Sequence, residues 1–373
     1  MKSAITILIF ATAFSQLQAQ QDSSGSGESN RRLFTTETFG GNGRTCLTCH
    51  SFQTGTVSPE DAQDRYRKDP SDPLFLFDGS DDGQGHGVTR MLTNATVLIE
   101  IPLPPNVSLA SDPKARSVTL RRGIPTTRNT PALDPVLMLD GREPNLPTQA
   151  LHAIQAHFQP TVQPVLSDLL GIAQFEVTEP FFSSPQLRDY ARGGPAPVLP
   201  QGSTDSEKRG RTFFVDAPFV PGGKAGSCAF CHSGPMLNET NSFFVTATGG
   251  LIPAGTRFQS VGVSEFNEGA NPVQQFIWQN PDGTQSRVSS PDPGRALITG
   301  RIDQPGPASD LNSFKIPILW GVKDTAPYFH DNSAKTLEDV AAHYARFFLK
   351  IPNPVILSQQ DQADIVAYLK LLN

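Results

Sequence analysis

The sequence lacks an apolar run long enough to cross a bilayer, which takes about 20 residues as a helix. The apolar stretch from Ile5 to Phe14 is shorter than this and follows Met1-Lys2. Ala19 then offers the small residue of a cleavage site, so the pattern is typical of a secretory signal. We therefore expect residues 1–19 to be a signal peptide, and the mature protein to have no membrane span and to be periplasmic or secreted.

Basic residues are in the minority as well. The chain has 30 Lys and Arg against 36 Asp and Glu, which gives a net charge of −6 at pH 7. Because proteins that bind nucleic acid usually present a positive surface, we expect no nucleic-acid partner. The acidic balance permits a basic protein partner without identifying one.

Cysteine is scarce, and all four cysteines fall in two C-x-x-C-H motifs. The motifs are Cys46-Leu47-Thr48-Cys49-His50 and Cys228-Ala229-Phe230-Cys231-His232. Two thiols at this spacing can form thioethers to the vinyl groups of one haem, and the adjacent His is then placed under the iron as its proximal ligand. The sequence therefore predicts two covalently bound c-type haems, with His50 and His232 as iron ligands and with no thiol left for a disulfide.

Two other chemistries use paired cysteines. Zinc sites combine two such pairs, but these usually lie within about 12–20 residues of each other, whereas Cys49 and Cys228 are far apart in the chain. A redox dithiol would explain one motif, but it would not explain why a His follows both. The haem interpretation accounts for both features.

Proline and glycine are abundant, at 33 and 31 residues, which indicates long structured loops. An Arg- and Phe-containing segment and a glycine loop precede each motif, at Arg31 to Gly43 and at Arg209 to Gly223. Gly, Pro and Ser cluster between Pro195 and Ser206, where we place a domain boundary. We expect a mainly α fold with two cytochrome-c-like haem domains, residues 31–200 and 201–373, long Pro/Gly-rich loops and a disordered leader at residues 20–30.

The clearest helices lie near the end of the sequence. Thr336-Leu337-Glu338-Asp339 is a capping-box start, and apolar residues then recur on one face through Tyr344 and Phe348. Ser358 to Asp361 opens a second helix in the same way. A closing amphipathic helix of this kind is typical of a cytochrome-c-like domain.

Four sequence blocks occur here in an order that resembles a known family. The blocks are the first motif; Arg128-Asn129-Thr130-Pro131 with Asp140-Gly141-Arg142 and Gln149-Ala150; the second motif with Ser233-Gly234; and Phe314 to Pro317 with Thr325 to Asp331 and Thr336 to Glu338. The family is that of the bacterial dihaem cytochrome c peroxidases, with the related dihaem enzyme that matures methylamine dehydrogenase. The resemblance implies a peroxidatic N-terminal haem domain, a C-terminal haem domain that passes electrons, and a calcium ion between them.

The resemblance also implies further metal ligands. The family's calcium positions match Asn129, Thr325 and Pro327, where most ligands are main-chain oxygens and water; the alternative is that these residues only shape turns. The removable sixth ligand of the family's N-terminal haem matches His86, and the glycines on either side would give its loop freedom to move. The alternative is that His86 is an ordinary solvent-exposed loop residue. Counting fourteen positions beyond His330 gives Tyr344 as the ligand of the C-terminal haem; the alternative is a core Tyr.

The match fails at the residue that handles protons. The family has a Glu ten positions beyond the Gln that matches Gln149, and this chain has Gln159 there. Glutamine can hold a peroxide but cannot exchange its proton, a task that requires a titrating group. His152 and His157, on the same predicted helix as Gln149, are the candidate substitutes, although either could be a surface His.

Three functions are compatible with the sequence. The first is a haem peroxidase that reduces hydrogen peroxide with electrons from a small cytochrome or cupredoxin, as a monomer or a homodimer. The second is an oxidase that acts on a protein or organic substrate through both haems, which an anionic Tyr ligand favours. The third is an electron-transfer dihaem cytochrome, which Gln159 favours. We favour the first.

Overall fold

The computed structural model describes residues 24–129, 131, 133–302 and 309–373. The predicted signal peptide lies outside these residues. Thirteen α-helices occur in the described part of the chain. They are α1 Ser24–Thr35, α2 Cys46–Cys49, α3 Pro59–Lys68, α4 Thr89–Asn94, α5 Leu146–His157, α6 Leu166–Thr178, α7 Pro185–Ala191, α8 Asp205–Phe214, α9 Ser242–Ala247, α10 Val263–Phe266, α11 Ala296–Thr299, α12 Leu337–Phe348 and α13 Gln359–Leu369.

Seven strands accompany the helices in small antiparallel sheets. They are β1 Thr96–Pro102, β2 Val107–Leu109, β3 Ser117–Gly123, β4 Phe258–Gln259, β5 Gln274–Gln279, β6 Gln285–Ser290 and β7 Phe314–Lys315. The sheets pair β1 with β3, β2 with β5 and β5 with β6, and β4 with β7. The prediction of a mainly α fold is therefore met only in part.

The helix starts follow from local hydrogen bonding. Thr336 caps α12 by accepting from the backbone N–H of Asp339 at 3.1 Å, and Ser358 caps α13 by accepting from Asp361 at the same distance. Both predicted capping-box starts are confirmed. Each cap satisfies one of the N–H groups that the first helical turn leaves without a partner.

The predicted leader differs from the structure where the two overlap. Residues 24–30 form the first turns of α1, whereas residues 20–23 lie outside the described part. Asn30 on α1 donates its side-chain N–H to Gln174 on α6 at 3.2 Å. Leu33 and Phe34 farther along α1 are buried against α6. Packing on α6 thus outweighs the low helix propensity of the Ser- and Gly-rich start of α1.

Three apolar clusters form the core. One lies around α1, α5 and α6, and another around α8, α12 and α13. The third joins the β1–β3 hairpin to Phe276 and Trp278 on β5 and to Leu297 on α11. Residues from both sides of the predicted boundary near residue 200 therefore share one core, and the boundary itself stays a prediction.

A buried ion cluster connects the two halves of the sequence. Arg122 on β3 donates to Asp140 at 2.5 Å and to both carboxylate oxygens of Asp292 at 2.7 and 2.9 Å. All three side chains are at most 2% exposed. Because the two carboxylates stabilise the cation more than burial disfavours it, the pKa of Arg122 is raised above its usual value. The guanidinium therefore stays charged and links β3 to two distant segments.

No helix in the described ranges is both long and apolar enough to cross a membrane.

We predict that Arg122→Met lowers the free energy of unfolding by about 3–5 kcal/mol, because it leaves the buried carboxylate of Asp292 without its cation and that of Asp140 with Arg142 alone. Arg116→Met, at an exposed position before β3, is the control and should stay within about 0.5 kcal/mol of the wild type. Urea unfolding of both variants measures the difference. A loss below about 1 kcal/mol in Arg122→Met would show that the cluster does not hold the halves together.

Candidate haem sites and the cavity beside His50

The first C-x-x-C-H motif folds as one helical turn that ends at its histidine. The backbone N–H of His50 donates to Cys46 O at 2.9 Å, which closes the turn. Nδ1 of His50 lies 2.8 Å from the carbonyl oxygen of Gly55, five residues later. A carbonyl can only accept, so Nδ1 carries the proton and Nε2 is left with its lone pair.

The second motif repeats this geometry. The backbone N–H of His232 donates to Cys228 O at 2.9 Å, and Nδ1 of His232 lies 2.8 Å from Leu237 O, again five residues later. Gly55 and Leu237, which supply the two carbonyls, both have positive φ angles, of 70° and 55°. A left-handed residue at this position turns the carbonyl back toward the imidazole in both halves.

These features fit haem ligation. Burial lowers the pKa of both His50 and His232, to about 4 for His232, so both rings are neutral at pH 7. A neutral imidazole with a backbone acceptor on Nδ1 is the usual form of a metal-bound His. The four cysteines are free thiols with no disulfide between them. In the described residues, no group of three or more His, Cys, Asp or Glu is arranged to hold a metal ion, so the two Cys pairs do not converge on one zinc site.

A cavity of about 1180 Å³ lies beside the first motif. We call it the His50 cavity. It is bounded by the first motif, the β1–β3 hairpin, helices α5 and α6, and the segment before α5. Among its lining residues are Cys49, His50, Gln149, His152, His157 and Glu176. Its volume exceeds the roughly 300–1,000 Å³ of ordinary small-molecule sites, as a pocket for a haem and a ligand requires.

Helix α5 brings three of the predicted residues to the His50 cavity. Asn145 caps α5 by accepting from the backbone N–H of Thr148 at 3.0 Å, and the helix then carries Gln149, His152 and His157 along one wall. The side-chain amide of Gln149 makes no hydrogen bond with any residue that the structure describes. It is therefore available to a ligand in the cavity.

Each of the two histidines is paired with a carboxylate. Nδ1 of His152 lies 2.8 Å from Glu143, and Nδ1 of His157 lies 2.5 Å from Asp78. Asp78 is 4% exposed and also accepts from Arg44. Burial alone would raise the pKa of Asp78, but His157 and Arg44 hold it below its usual value. Asp78 thus stays anionic and keeps the His157 proton on Nδ1.

Two other predicted residues lie away from the cavity wall. Gln159 follows α5 with a φ of 51°, is exposed, and accepts from Asn42 at 3.3 Å. The side chain of His86 is 81% exposed, with Nδ1 2.7 Å from Asp82. Asp82 itself lines the cavity. The loop that carries His86 therefore borders the His50 cavity, while its ring faces solvent.

Tyr344 lies close to the second C-x-x-C-H motif. Helix α12 presents it among the rings of Phe329, Phe347 and Phe348, with centroids 5.9–6.4 Å away. Burial, with smaller contributions from Cys231 and Cys228, raises the pKa of its hydroxyl above the usual value. The hydroxyl makes no hydrogen bond with any described residue, which is the condition a free ligand oxygen would need.

The predicted calcium residues come from two segments, one with Asn129 and one with Thr325 and Pro327, and the neighbouring Arg128 and Asp324 pair at 3.3 Å. Asn129 is buried, accepts from the backbone N–H of Ser184 at 3.0 Å and donates to Trp320 O at 2.8 Å. The hydroxyl of Thr325 donates to Val322 O at 3.0 Å. These side-chain oxygens are engaged, so main-chain oxygens, including that of Pro327, would have to supply the ligands. Calcium binding stays a prediction.

Three acidic residues of the cavity escaped the sequence analysis. They are Asp78, Glu143 and Glu176, and all are at most 6% exposed. Asp78 and Glu143 come from loops, and Glu176 comes from α6. Of the three, only Glu176 has a signal in the sequence, since it is a carboxylate in the mainly apolar segment from Ile172 to Val177.

Comparisons with known proteins bear on the family resemblance. No protein-family model matches the chain. The chain is 28% identical over 149 residues to the cytochrome c551 peroxidase of Nitrosomonas europaea, over 40% of this chain and 31% of that protein. It is 29% identical over 164 residues to the cytochrome-c peroxidase IdrP1 of Denitromonas iodatirespirans, over 40% of this chain and 38% of that protein. The matches thus span less than two fifths of either relative's length.

Among solved structures, the chain shares its fold with a MauG-like protein associated with microbial copper homeostasis. The TM-score is 0.52 at 18% identity, over 94% of this chain and 89% of that one. This likeness supports the fold, and the sequence matches support the resemblance to the peroxidases.

We predict that Glu176→Gln removes a pH-dependent cost to stability. Burial raises the pKa of Glu176 to about 8, whereas an unfolded Glu titrates near 4.3. Between about pH 4.3 and pH 8, the Glu176 carboxyl is ionised in the unfolded chain but protonated in the folded chain. The free energy of unfolding of the wild type therefore falls as the pH rises through this range, and this contribution is constant above about pH 8. The stability gained by Glu176→Gln over the wild type should therefore grow from about pH 5 to pH 8 and then stay constant.

Urea unfolding of the holoprotein at several pH values measures this gain. Glu179→Gln is the control, because Glu179 follows α6 and pairs with Arg31 at 3.5 Å nearer the surface. Its effect should not grow over the same range. A gain from Glu176→Gln that is independent of pH would show that the carboxyl is not buried in its neutral form.

Proposed function

From the confirmed resemblance to the dihaem cytochrome c peroxidase family, we propose that this chain is an exported dihaem c-type peroxidase. It would reduce hydrogen peroxide with electrons from a small cytochrome or cupredoxin. The observation that carries the proposal is the His50 cavity, which combines a haem-attachment motif with a free amide and with carboxylate-oriented histidines. When bound at His50, the haem would supply the iron that binds peroxide and accepts electrons.

The residues of α5 would perform the polar part of the reaction. Gln149 would hold peroxide through its unengaged amide. Asp78 fixes the His157 proton on Nδ1, so Nε2 is the nitrogen that can accept a proton and return it. His152, paired with Glu143, has the same arrangement, but its side chain is 58% exposed against 25% for His157. His157 is therefore the stronger candidate for proton transfer.

The second haem would be held by Cys228 and Cys231, with His232 and Tyr344 as the residues that would ligate its iron, and it would supply the entry point for electrons. Leu139 lines the His50 cavity where the family has a Trp, so no aromatic relay stands at that position. His86, in a glycine-flanked loop that borders the His50 cavity, would be the removable ligand of the first haem. A calcium ion would bind at Asn129, Thr325 and Pro327, the positions that the family resemblance implies.

A second candidate function is supported by Tyr344. An anionic Tyr ligand favours oxidised iron and so disfavours a role as electron acceptor. That property suits an oxidase that keeps oxidising equivalents on both haems and acts on a protein or organic substrate. The two functions differ in what they consume: the peroxidase requires a continuous supply of electrons from a donor protein.

We predict that the half-reduced holoprotein consumes hydrogen peroxide and oxidises a reduced small cytochrome in step. His157→Ala should lower turnover by about 10²–10⁴-fold, because it removes a proton-transfer group. Gln149→Ala should lower it by roughly 10-fold or more, the equivalent of a lost hydrogen bond of about 1.4 kcal/mol. Gln163→Ala, an exposed amide after α5, is the control and should keep full activity. If the wild type consumes no peroxide and both irons remain low-spin, electron transfer becomes the leading function.

We also predict that Tyr344→Phe changes the spectrum of only one haem. Removal of the hydroxyl would open a coordination position at the C-terminal iron and convert it to high spin, while both haems stay attached. Tyr328→Phe is the control, since that hydroxyl donates to Val322 O at 2.9 Å. Electron paramagnetic resonance of the oxidised protein distinguishes the results. An unchanged spectrum in Tyr344→Phe would exclude Tyr344 as a ligand.

A further inference from the structure

Glu176 is the one cavity carboxyl with no protein partner in the part of the chain that the structure describes. It is 4% exposed, and its Oε2 is buried without a hydrogen bond. The other two buried carboxyls of the cavity, Asp78 and Glu143, each face a histidine. A buried polar group without a partner costs about 1–3 kcal/mol, so an apolar residue here would be more stable.

The surroundings of Glu176 keep its carboxyl neutral. Its neighbours on α6, Ile172 and Phe175, pack into the apolar cluster with Phe34 and Phe182. Burial is the sole cause of the raised pKa of Glu176, of about 8. At neutral pH the group is therefore a carboxylic acid with a proton to donate.

The position of Glu176 joins it to the proposed reaction. It lines the same cavity as Gln149 and His157, and α6 packs directly on α5, which carries both of them. It also lies close enough to Cys46 for its charge to raise the pKa of that thiol. The free carboxyl thus lies near the first C-x-x-C-H motif and lines the His50 cavity.

We propose that Glu176 is the general acid of the His50 cavity, the carboxyl that position 159 does not supply. This inference rests on the proposed peroxidase function. Reduction of hydrogen peroxide to two waters breaks the O–O bond and consumes two electrons and two protons. The electrons come from the small redox protein. His157 accepts a proton from peroxide, and Glu176 gives its own proton to the leaving oxygen and is reprotonated from solvent. The proton held by His157 and one more from solvent complete the second water.

The test compares holoprotein variants at Glu176 with a matched control on the same helix. Glu176→Gln keeps the shape of the side chain but removes the exchangeable proton, and we expect turnover to fall by about 10²–10⁴-fold. Glu176→Asp restores the carboxyl and should recover part of the activity. Glu179→Gln, outside the cavity, should retain the activity of the wild type. Haem absorbance and circular dichroism show whether each variant is folded and loaded.

A second readout does not depend on turnover. Infrared difference spectra of wild type against Glu176→Gln should contain the C=O stretch of a protonated carboxylic acid, and this band should disappear with a midpoint near pH 8, the pKa that burial gives Glu176. In the wild type, turnover should decline over the same pH range. Glu176→Gln should lack that decline.

The outcomes separate the two proposals. If the wild type does not consume peroxide, the proposed function fails, and with it the acid role, even where the infrared band is present. If the wild type is active while Glu176→Gln keeps its turnover within twofold and the same pH profile, the acid role alone is wrong. An active wild type without the titrating band would also overturn it, because the carboxyl would then be ionised at neutral pH.

Discussion

The buried cation of Arg122 is the interaction on which the arrangement of the His50 cavity depends. It lines that cavity and connects β3 to Asp140, just before α5, and to Asp292 in the second half of the sequence. Its guanidinium also lies 5.9 Å from the ring of Phe314, which stacks on His330. Removal of Arg122 would leave the buried charge of Asp292 without compensation and that of Asp140 with Arg142 alone. The cluster therefore fixes where α5 and the C-terminal segment meet the hairpin.

The backbone geometry of the two C-x-x-C-H motifs could be predicted because it is local. The spacing of Cys46, Cys49 and His50 specifies one helical turn, and the structure forms that turn in both motifs. Counting positions along the chain was less informative. Gln159 is ten positions beyond Gln149, but α5 ends at His157, and Gln159 itself adopts a left-handed conformation and is exposed. The carbonyls of Gly55 and Leu237 depend on tertiary packing and left no sequence signal.

The strands show the same limit. The side chains of β1 alternate between buried and exposed only in part, so the period-2 signal of a strand is weak. The strand also lies between the first motif and Arg128, where the sequence shows little family resemblance. Its register with β3 and the pairing of β2 with β5, across nearly half of the chain, are non-local. Such pairings are set by the shared core around Phe276 and Trp278. A single sequence does not encode them in any short window.

The two histidine sites have similar proximal geometry but differ in what surrounds them, and this difference bears on their division of labour. The His50 side has a large cavity with three buried carboxyls, two histidines and a free amide, which are groups that can bind a small polar ligand and move its protons. The His232 side presents Tyr344 among phenylalanine rings. The phenolic hydroxyl of Tyr344 is the polar group of this aromatic surround, and burial raises its pKa. The contrast agrees with the proposed division of labour, in which proton transfer takes place beside His50 and electrons enter beside His232.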